Sequence, residues 1–213
     1  VMIGGTLPLL EACHRVGHGD TIILESCEYC NSFLSFYPTV AVILNVEADH
    51  LDFFKDLADV EKSFRKFADR VPENGLIVAN CEDENTMAAL EGETRPVMTF
   101  GVEQGDVHGS NLTMDQGFGS FDVVYRGEKY AHLDLSVPGM HNVKNALAAS
   151  AAAIALGLPG KAVEDGMRDF RLPGRRFEYK GSYNGAELCD DYAHHPGELA
   201  SLFDTAAALG HKR

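Results

Sequence analysis

The hydrophobic positions in the first half of the chain form short continuous runs separated by amphipathic stretches. The apolar runs predict strands covered on both faces, at residues 21–25, 39–46, 76–80 and 96–100. The stretches between them predict helices at residues 59–71 and 85–90, and a short crossover lies around residues 32–34. This alternation predicts an α/β fold with a mainly parallel central sheet flanked by helices.

The pattern changes after residue 105. Glycines separate alternating segments up to residue 137, which predicts a small antiparallel β meander attached to the main sheet. Later segments predict helices at residues 141–156 and 161–170, strands at 177–183 and 187–189, and a helix at 196–213. We therefore expect one domain over residues 1–174, followed by a hinge and the start of a second α/β domain over residues 175–213.

The charge balance restricts the class of partner. The chain has 18 basic and 32 acidic residues, a formal charge of −14, which argues against nucleic acid as a partner. No apolar run is long enough to span a membrane and no secretory signal is visible, so we predict a cytoplasmic protein without a membrane partner. The chain does not begin with Met, and we expect it to belong to a longer protein. Its five scattered cysteines, including the pair Cys27 and Cys30, are interpreted as reduced thiols.

Acidic and imidazole groups follow the first two predicted strands. Glu25 ends one run, and Glu47, Asp49 and His50 follow the next. Ligands of open α/β sheets bind beyond the carboxyl ends of the strands, so these groups could share one crevice. Carboxylates suit Mg²⁺, which would also allow an acidic chain to bind an anionic substrate. The alternative is that they are solvated loop residues.

Amide and guanidinium side chains form a second set of candidates. Asn142 and Asn145 lie three residues apart and share one face of a helix, where their amides could contact the edge of a nucleobase. The alternative for Asn142 is a helix cap. Arg175 and Arg176 follow a Pro-Gly turn, where a guanidinium could grip a phosphate or simply be solvated.

Residues 190–196 read Asp-Asp-Tyr-Ala-His-His-Pro. Asp191 could bind ribose hydroxyls, and His194 could meet a phosphate or a carboxylate. Tyr192 could serve packing alone. Neighbouring residues of an extended chain point in opposite directions, so His194 and His195 are not expected to chelate one metal ion.

These motifs together resemble the Mur ligases of bacterial cell-wall synthesis. The matching blocks are residues 24–29 with 32–34, 45–52, 138–145, 174–178 and 190–196. The resemblance implies the central ATPase domain of that family, with ATP and Mg²⁺ as cofactors. It assigns Mg²⁺ ligands to Glu25 and His50, nucleotide contacts to His141, Asn142, Asn145, Arg175, Arg176 and Asp191, and the catalytic position facing the cleft to His194.

The family forms an amide through an acyl phosphate. The resemblance implies UDP-N-acetylmuramic acid as the carboxylate substrate and L-alanine as the amine. Two alternatives stay open, a sibling that attaches a tripeptide during wall recycling and a non-catalytic scaffold domain. The family's phosphate loop, which ends in Gly-Lys-Thr, is not found in these 213 residues, so we expect the chain by itself to be inactive.

Overall fold

The computed structural model describes residues 1–210. Its strands are β1 Met2–Leu7, β2 Ala12–His14, β3 Val40–Ile43, β4 Leu76–Asn80, β5 Val97–Gly101, β6 Val107–Asp115, β7 Phe118–Tyr125, β8 Glu128–Pro138, β9 Glu178–Tyr183 and β10 Ala186–Asp190. Its helices are α1 Leu57–Ala68, α2 Glu84–Ala89, α3 Met140–Ala155, α4 Gly160–Asp169 and α5 Pro196–Ala208, with a 3-10 helix at Tyr29–Ser35.

The centre of the fold is a six-stranded sheet in the order β3-β4-β5-β6-β7-β8. Strands β3 to β6 are parallel, whereas β6, β7 and β8 form an antiparallel meander. The predicted α/β class, with a mainly parallel sheet, flanking helices and a small meander, is therefore confirmed.

Two hydrophobic cores cover the two faces of this sheet. Alternate residues of a strand point to opposite faces, so Val78 of β4 enters one core while Ile77 and Ala79 enter the other. The first core contains the buried face of α3, whose many alanines allow close packing on the sheet. In the second core, Phe33 of the 3-10 helix stacks on Phe67 of α1 with ring centroids 4.7 Å apart.

The helix starts follow from local chemistry. The Asp56 side chain accepts a hydrogen bond from the Asp59 N–H and caps α1. Helix α5 has Pro196 in its first turn and a capping box formed by His195 and Glu198. Helix α3 begins at Gly139, whose φ of 103° and ψ of 142° favour glycine.

One predicted strand is wrong. Residues 21–25 form only an isolated parallel bridge, between Leu24 and Met2, and they do not join the six-stranded sheet. Ile22 and Ile23 remain 77% and 55% exposed, because the segment packs on neither core. Instead, β1 and β2 form an antiparallel pair that the sequence did not predict.

The last part of the described chain forms the β9–β10 hairpin and α5. Helix α5 packs against the start of α3, where a Cβ added at Gly139 would lie 2.6 Å from Thr205 Oγ1. Thr205 is only 3% exposed. The predicted α5 continued to residue 213, and residues 211–213 lie outside the described part. The division of the chain at residue 174 stays a prediction.

The model also bears on two expectations about chemistry and location. All five cysteines are free thiols, as expected. Among residues 1–210, no helix combines the length and apolar character that crossing a membrane requires.

Candidate functional site

A polar pocket of about 190 Å³ opens at the carboxyl end of β3. Its walls come from the segment after β3, the 3-10 helix region, one face of α1 and the first turn of α5. The lining residues are Glu28, Asn45, Glu47, Asp49, Val60, Phe64, His195 and Glu198. Four of these carry carboxylates, so the pocket favours a cation or the cation-bound form of an anion.

His50 lies beside two carboxylates at this edge of the sheet. Its Nε2 is 3.2 Å from Glu28 Oε1 and 3.8 Å from Asp49 Oδ2. One ligand atom from each of the three lies within 4.8 Å of the other two. The His50 ring also packs 4.6 Å from the ring of Tyr29, and a hydrogen bond to Asp52 raises the pKa of Tyr29 to about 12.

Glu25 is engaged elsewhere. Its Oε2 accepts a hydrogen bond of 2.5 Å from the Gly4 N–H. Within residues 1–210, Glu25 and His50 share no hydrogen bond or ion pair, and Glu28 and Asp49 are the acidic neighbours of the imidazole. Two carboxylates beside one imidazole fit a divalent cation that also binds phosphate oxygens. The role of Glu25 as a metal ligand stays a prediction.

The turn between β10 and α5 is organised by Asp191. Its two carboxylate oxygens accept hydrogen bonds from the Phe177 N–H at 2.7 Å and the Ala193 N–H at 2.8 Å. Through these bonds, one side chain ties the turn to the segment before β9. The remaining lone pairs of the carboxylate are available to a ligand hydroxyl.

Both predicted phosphate-binding arginines flank this turn. The Arg175 guanidinium lies 4.7 Å above the ring of Tyr192 and 3.8 Å from Asp190 Oδ2. Arg176 Nη1 lies 3.3 Å from Glu198 Oε1. Neither guanidinium is buried, so both can exchange these contacts for a phosphate.

Glu198 supports the first turn of α5. Burial opposes its charge, but the backbone N–H groups of His194 and His195 and the Arg176 guanidinium hold the pKa of this carboxyl below its usual range. Glu198 is therefore a stable anion that ties Arg176 to the start of α5.

His141, at the start of α3, lies close to the same turn. Desolvation lowers the pKa of this imidazole below 6.5, while the charge of Asp191 raises it and that of Arg176 lowers it. The charges of Asp191 and Arg176 both act on this imidazole, so three of the predicted nucleotide residues interact electrostatically. They belong to α3, to the segment before β9 and to the β10–α5 turn.

The two asparagines of α3 differ in their surroundings. Asn142 is only 6% exposed, and its Nδ2 donates a hydrogen bond of 2.6 Å to the Pro138 carbonyl. This contact holds the β8–α3 junction, and the N-cap position itself belongs to Gly139. The side chain of Asn145 is exposed, and its amide has no hydrogen bond to another residue of the described chain. Contact of either amide with adenine stays a prediction.

The neighbouring histidines have different partners. His194 Nδ1 lies 3.0 Å from the Tyr192 carbonyl oxygen and 3.5 Å from Glu198 Oε2. Both are acceptors, so Nδ1 carries the proton and Nε2 presents its lone pair. His195 Nδ1 faces Glu47 Oε2 at 3.1 Å. As the sequence predicted, the two imidazoles do not converge on one point.

Comparison with known proteins identifies the family. The sequence profile of the Mur ligase middle domain matches residues 8–153, well over half of the chain. The chain belongs to the Mur ligase family. That membership accounts for the α/β sheet with its meander.

Similar full-length proteins narrow the comparison within the family. The UDP-N-acetylmuramate–L-alanine ligase of Caldanaerobacter subterraneus subsp. tengcongensis is 42% identical over 215 residues, covering 100% of this chain and 47% of the relative. The enzyme of the same name from Clostridium acetobutylicum is 40% identical over 214 residues, with 100% and 47% covered. The chain therefore spans about half the length of the curated relatives it matches.

Solved structures agree with this assignment. The crystal structure of the UDP-N-acetylmuramate-alanine ligase MurC from Thermotoga maritima has a TM-score of 0.69 and 31% identity, over 84% of this chain and 40% of that chain. MurF from Acinetobacter baumannii has a TM-score of 0.74 at 23% identity, over 83% and 39%, a similarity that shows the fold alone.

Sequence reasoning missed two residues of this candidate site. Glu28 follows Glu25 by three positions, and a 3-10 helix with positive φ at Cys30 and Asn31 turns the chain there. No periodic pattern signals such a turn. Glu198 was recognisable, because an acid at the third position of a helix that follows a capping residue is the pattern of a capping box.

Proposed function

We propose that this protein joins L-alanine to the carboxylate of UDP-N-acetylmuramic acid, using ATP and an acyl-phosphate intermediate. The observation that carries the proposal is the alignment of the whole chain, at 40–42% identity, with two ligases named for that substrate pair. The electrostatic interaction of His141 with Arg176 and Asp191 supports it, because these residues would serve one nucleotide site between α3 and the β10–α5 turn.

The nucleotide roles follow from the surroundings of each side chain. Asn145 is exposed with its amide available, so we assign it the adenine contact, while Asn142 fixes the helix start that carries it. Asp191 would receive the ribose hydroxyls on its free lone pairs. Arg176 would exchange its contact with Glu198 for a contact with a phosphate. Arg175 would likewise move from its position over Tyr192 to bind a phosphate.

Mg²⁺ would be held by His50 with Glu28 and Asp49, and by Glu25 if that side chain leaves Gly4. When bound, the cation would neutralise phosphate charge and polarise the transferring group. The residues supply two carboxylates for it at the edge of the pocket. The same pocket would repel a metal-free nucleotide.

His194 would handle the proton of the incoming amine. Its Nδ1–H is fixed by the Tyr192 carbonyl, which leaves Nε2 as an acceptor at the surface of the turn. An imidazole in this tautomer can accept a proton as the amine attacks the acyl phosphate. This assigns His194 the role of general base.

A second candidate substrate has its own support. The tripeptide ligase of Neisseria meningitides, named for L-alanyl-gamma-D-glutamyl-meso-diaminopimelate, is 32% identical with a TM-score of 0.59 over 68% of this chain and 44% of that chain. A choice of amine therefore has to be part of the test.

The test uses the complete product of the gene, with the 213-residue chain assayed alongside. Phosphate release from Mg-ATP would be measured with UDP-N-acetylmuramic acid and either no amine, L-alanine, other amino acids or the stem tripeptide. Release that depends on L-alanine supports the proposal. Release with the tripeptide alone assigns the recycling reaction, and a folded protein without any release contradicts a ligase function. Asn145→Ala should raise the KM for ATP, whereas Asn74→Ala, at an exposed loop position, should not.

A further inference from the structure

An ion-pair contact joins the start of α5 to the segment after β3. His195 Nδ1 lies 3.1 Å from Glu47 Oε2, and Glu47 Oε1 also accepts a hydrogen bond of 3.0 Å from Asn45 Nδ2. The contact links two parts of the molecule that carry different site residues. His50 follows Glu47, while Asp191 and His194 precede His195 by a few positions.

Helix capping does not require this contact. A hydrogen bond from the Gly197 N–H to His195 Nδ1, at 3.4 Å, requires a lone pair on that nitrogen. The contact of the same nitrogen with Glu47 Oε2 is shorter and requires a proton on Nδ1. Glu198 already accepts the backbone N–H groups of His194 and His195, so α5 remains capped when Nδ1 donates to Glu47.

Gly197 gives Glu47 its space. A Cβ added at Gly197 would lie 2.7 Å from Glu47 Oε2 and 3.3 Å from Oε1. The carboxylate therefore sits directly against the first turn of α5, where the helix dipole favours a negative charge. Any side chain at position 197 would displace the end of Glu47 and break its contact with His195.

We propose that Glu47, His195 and Gly197 form a docking contact that positions the β10–α5 turn on the sheet edge. The contact sets the distance from Asp191 and Arg176 to His141, and it does so without touching the nucleotide. Its consequence for catalysis rests on the proposed function, in which those residues bind ATP. The three are positioning residues.

The first test needs no substrate. Hydrogen exchange of the amides of residues 199–203 reports the stability of α5 in the 213-residue chain. Glu47→Ala should lower their protection by about threefold to tenfold, the range expected for an exposed pair reinforced by a helix terminus. Because a Gly→Ala change favours a helix, Gly197→Ala should raise protection in the Glu47→Ala background. In the wild-type background the same change should raise protection less or lower it, because the loss of the Glu47 contact offsets the gain.

Gly166→Ala is the matched control, because an added Cβ there meets nothing within 4 Å. This change in α4 should raise the protection of α4 equally in both backgrounds. A smaller or reversed effect of Gly197→Ala in the wild-type background, compared with the Glu47→Ala background, is the signature of the docking contact. An equal effect in both would overturn the proposal.

The second test uses the complete gene product. Glu47→Ala and Gly197→Ala should each raise the KM for ATP by about threefold to tenfold while kcat is retained, because saturating nucleotide can restore the docked turn. An unchanged KM, together with background-dependent effects of Gly197→Ala in the exchange experiment, would overturn the positioning role. Absence of ligase activity in the wild-type protein would count against the proposed function alone, since the exchange experiment decides the contact separately.

Discussion

Gly139 controls the junction between α3 and α5, and Gly139→Ala should be severely destabilising. A Cβ at this position would lie 2.5 Å from His141 Cε1 and 2.6 Å from Thr205 Oγ1. The backbone conformation, at φ 103° and ψ 142°, costs a non-glycine residue about 1–3 kcal/mol, and steric overlap in a packed site costs about 1–3 kcal/mol more. The sum is about 2–6 kcal/mol, a large part of the roughly 5–15 kcal/mol stability of a typical domain.

Gly157→Ala is the matched control at the other end of α3. Gly157 also has a positive φ, of 70°, but an added Cβ meets nothing within 4 Å. That variant should lose only the backbone cost of about 1–2 kcal/mol. Both variants share the effect of alanine on the unfolded chain, so it cancels in the comparison.

Urea unfolding followed by circular dichroism separates the two terms. With a slope of about 2 kcal/mol per M, the midpoint should fall by roughly 1–3 M for Gly139→Ala and by roughly 0.5–1 M for Gly157→Ala. Equal shifts would refute the reasoning, because they would show that α5 does not press on the start of α3.

Four further predictions concern the site. Burial lowers the pKa of His141 below 6.5 in the folded state, so the unfolded chain binds a proton first and the free energy of unfolding should fall as pH decreases through 6.5. His141→Gln should reduce this dependence of stability on pH, measured as urea midpoints between about pH 5 and pH 7.5. Asn142→Ala should cost about 1–3 kcal/mol in the same assay, because it removes a buried amide together with its hydrogen bond to the Pro138 carbonyl. Asn145→Ala should change the free energy of unfolding by less than about 0.5 kcal/mol. It should weaken ADP binding, measured by calorimetry, by about threefold to tenfold. A larger loss of stability for Asn145→Ala than for Asn142→Ala, with a larger loss of ADP affinity for Asn142→Ala, would contradict the two assignments. Glu28→Gln with Asp49→Asn should weaken Mn²⁺ binding, followed by electron paramagnetic resonance, by about tenfold or more, and unchanged binding would remove both from the metal site.

Local patterns were sufficient for much of the fold. The apolar run at 76–80 is bounded by a Pro-containing turn and became β4 with the same limits. The alanine-rich run became α3 within one residue of the predicted limits. In both cases the segment is buried in the sheet-helix core, so composition and period point to the same structure.

Non-local pairing accounts for the main error. Residues 21–25 have the composition of a buried strand, but composition does not determine which strand a segment pairs with. In the structure the segment meets Met2 of β1, and Ile22 stays exposed. The isolated bridge is therefore a property of tertiary packing rather than of the local sequence.

The candidate site also combines local and non-local information. The motifs predicted which residues belong to it, but they did not predict how those residues are arranged in space. His141 and Asp191 lie far apart in sequence, and their electrostatic interaction depends on the tertiary packing that also brings α5 against α3. Glu28 joins His50 because the chain turns through left-handed residues within the 3-10 helix.

The most direct test of the proposed reaction is to trace the oxygen atoms of the substrate carboxylate into the released phosphate. The complete gene product would be given Mg-ATP, L-alanine and UDP-N-acetylmuramic acid labelled with ¹⁸O in its carboxylate, and the released phosphate would be analysed by mass spectrometry. An acyl-phosphate route predicts that each phosphate formed carries one ¹⁸O from the carboxylate. Phosphate without the label would show that ATP is cleaved by water, and it would contradict the proposed reaction.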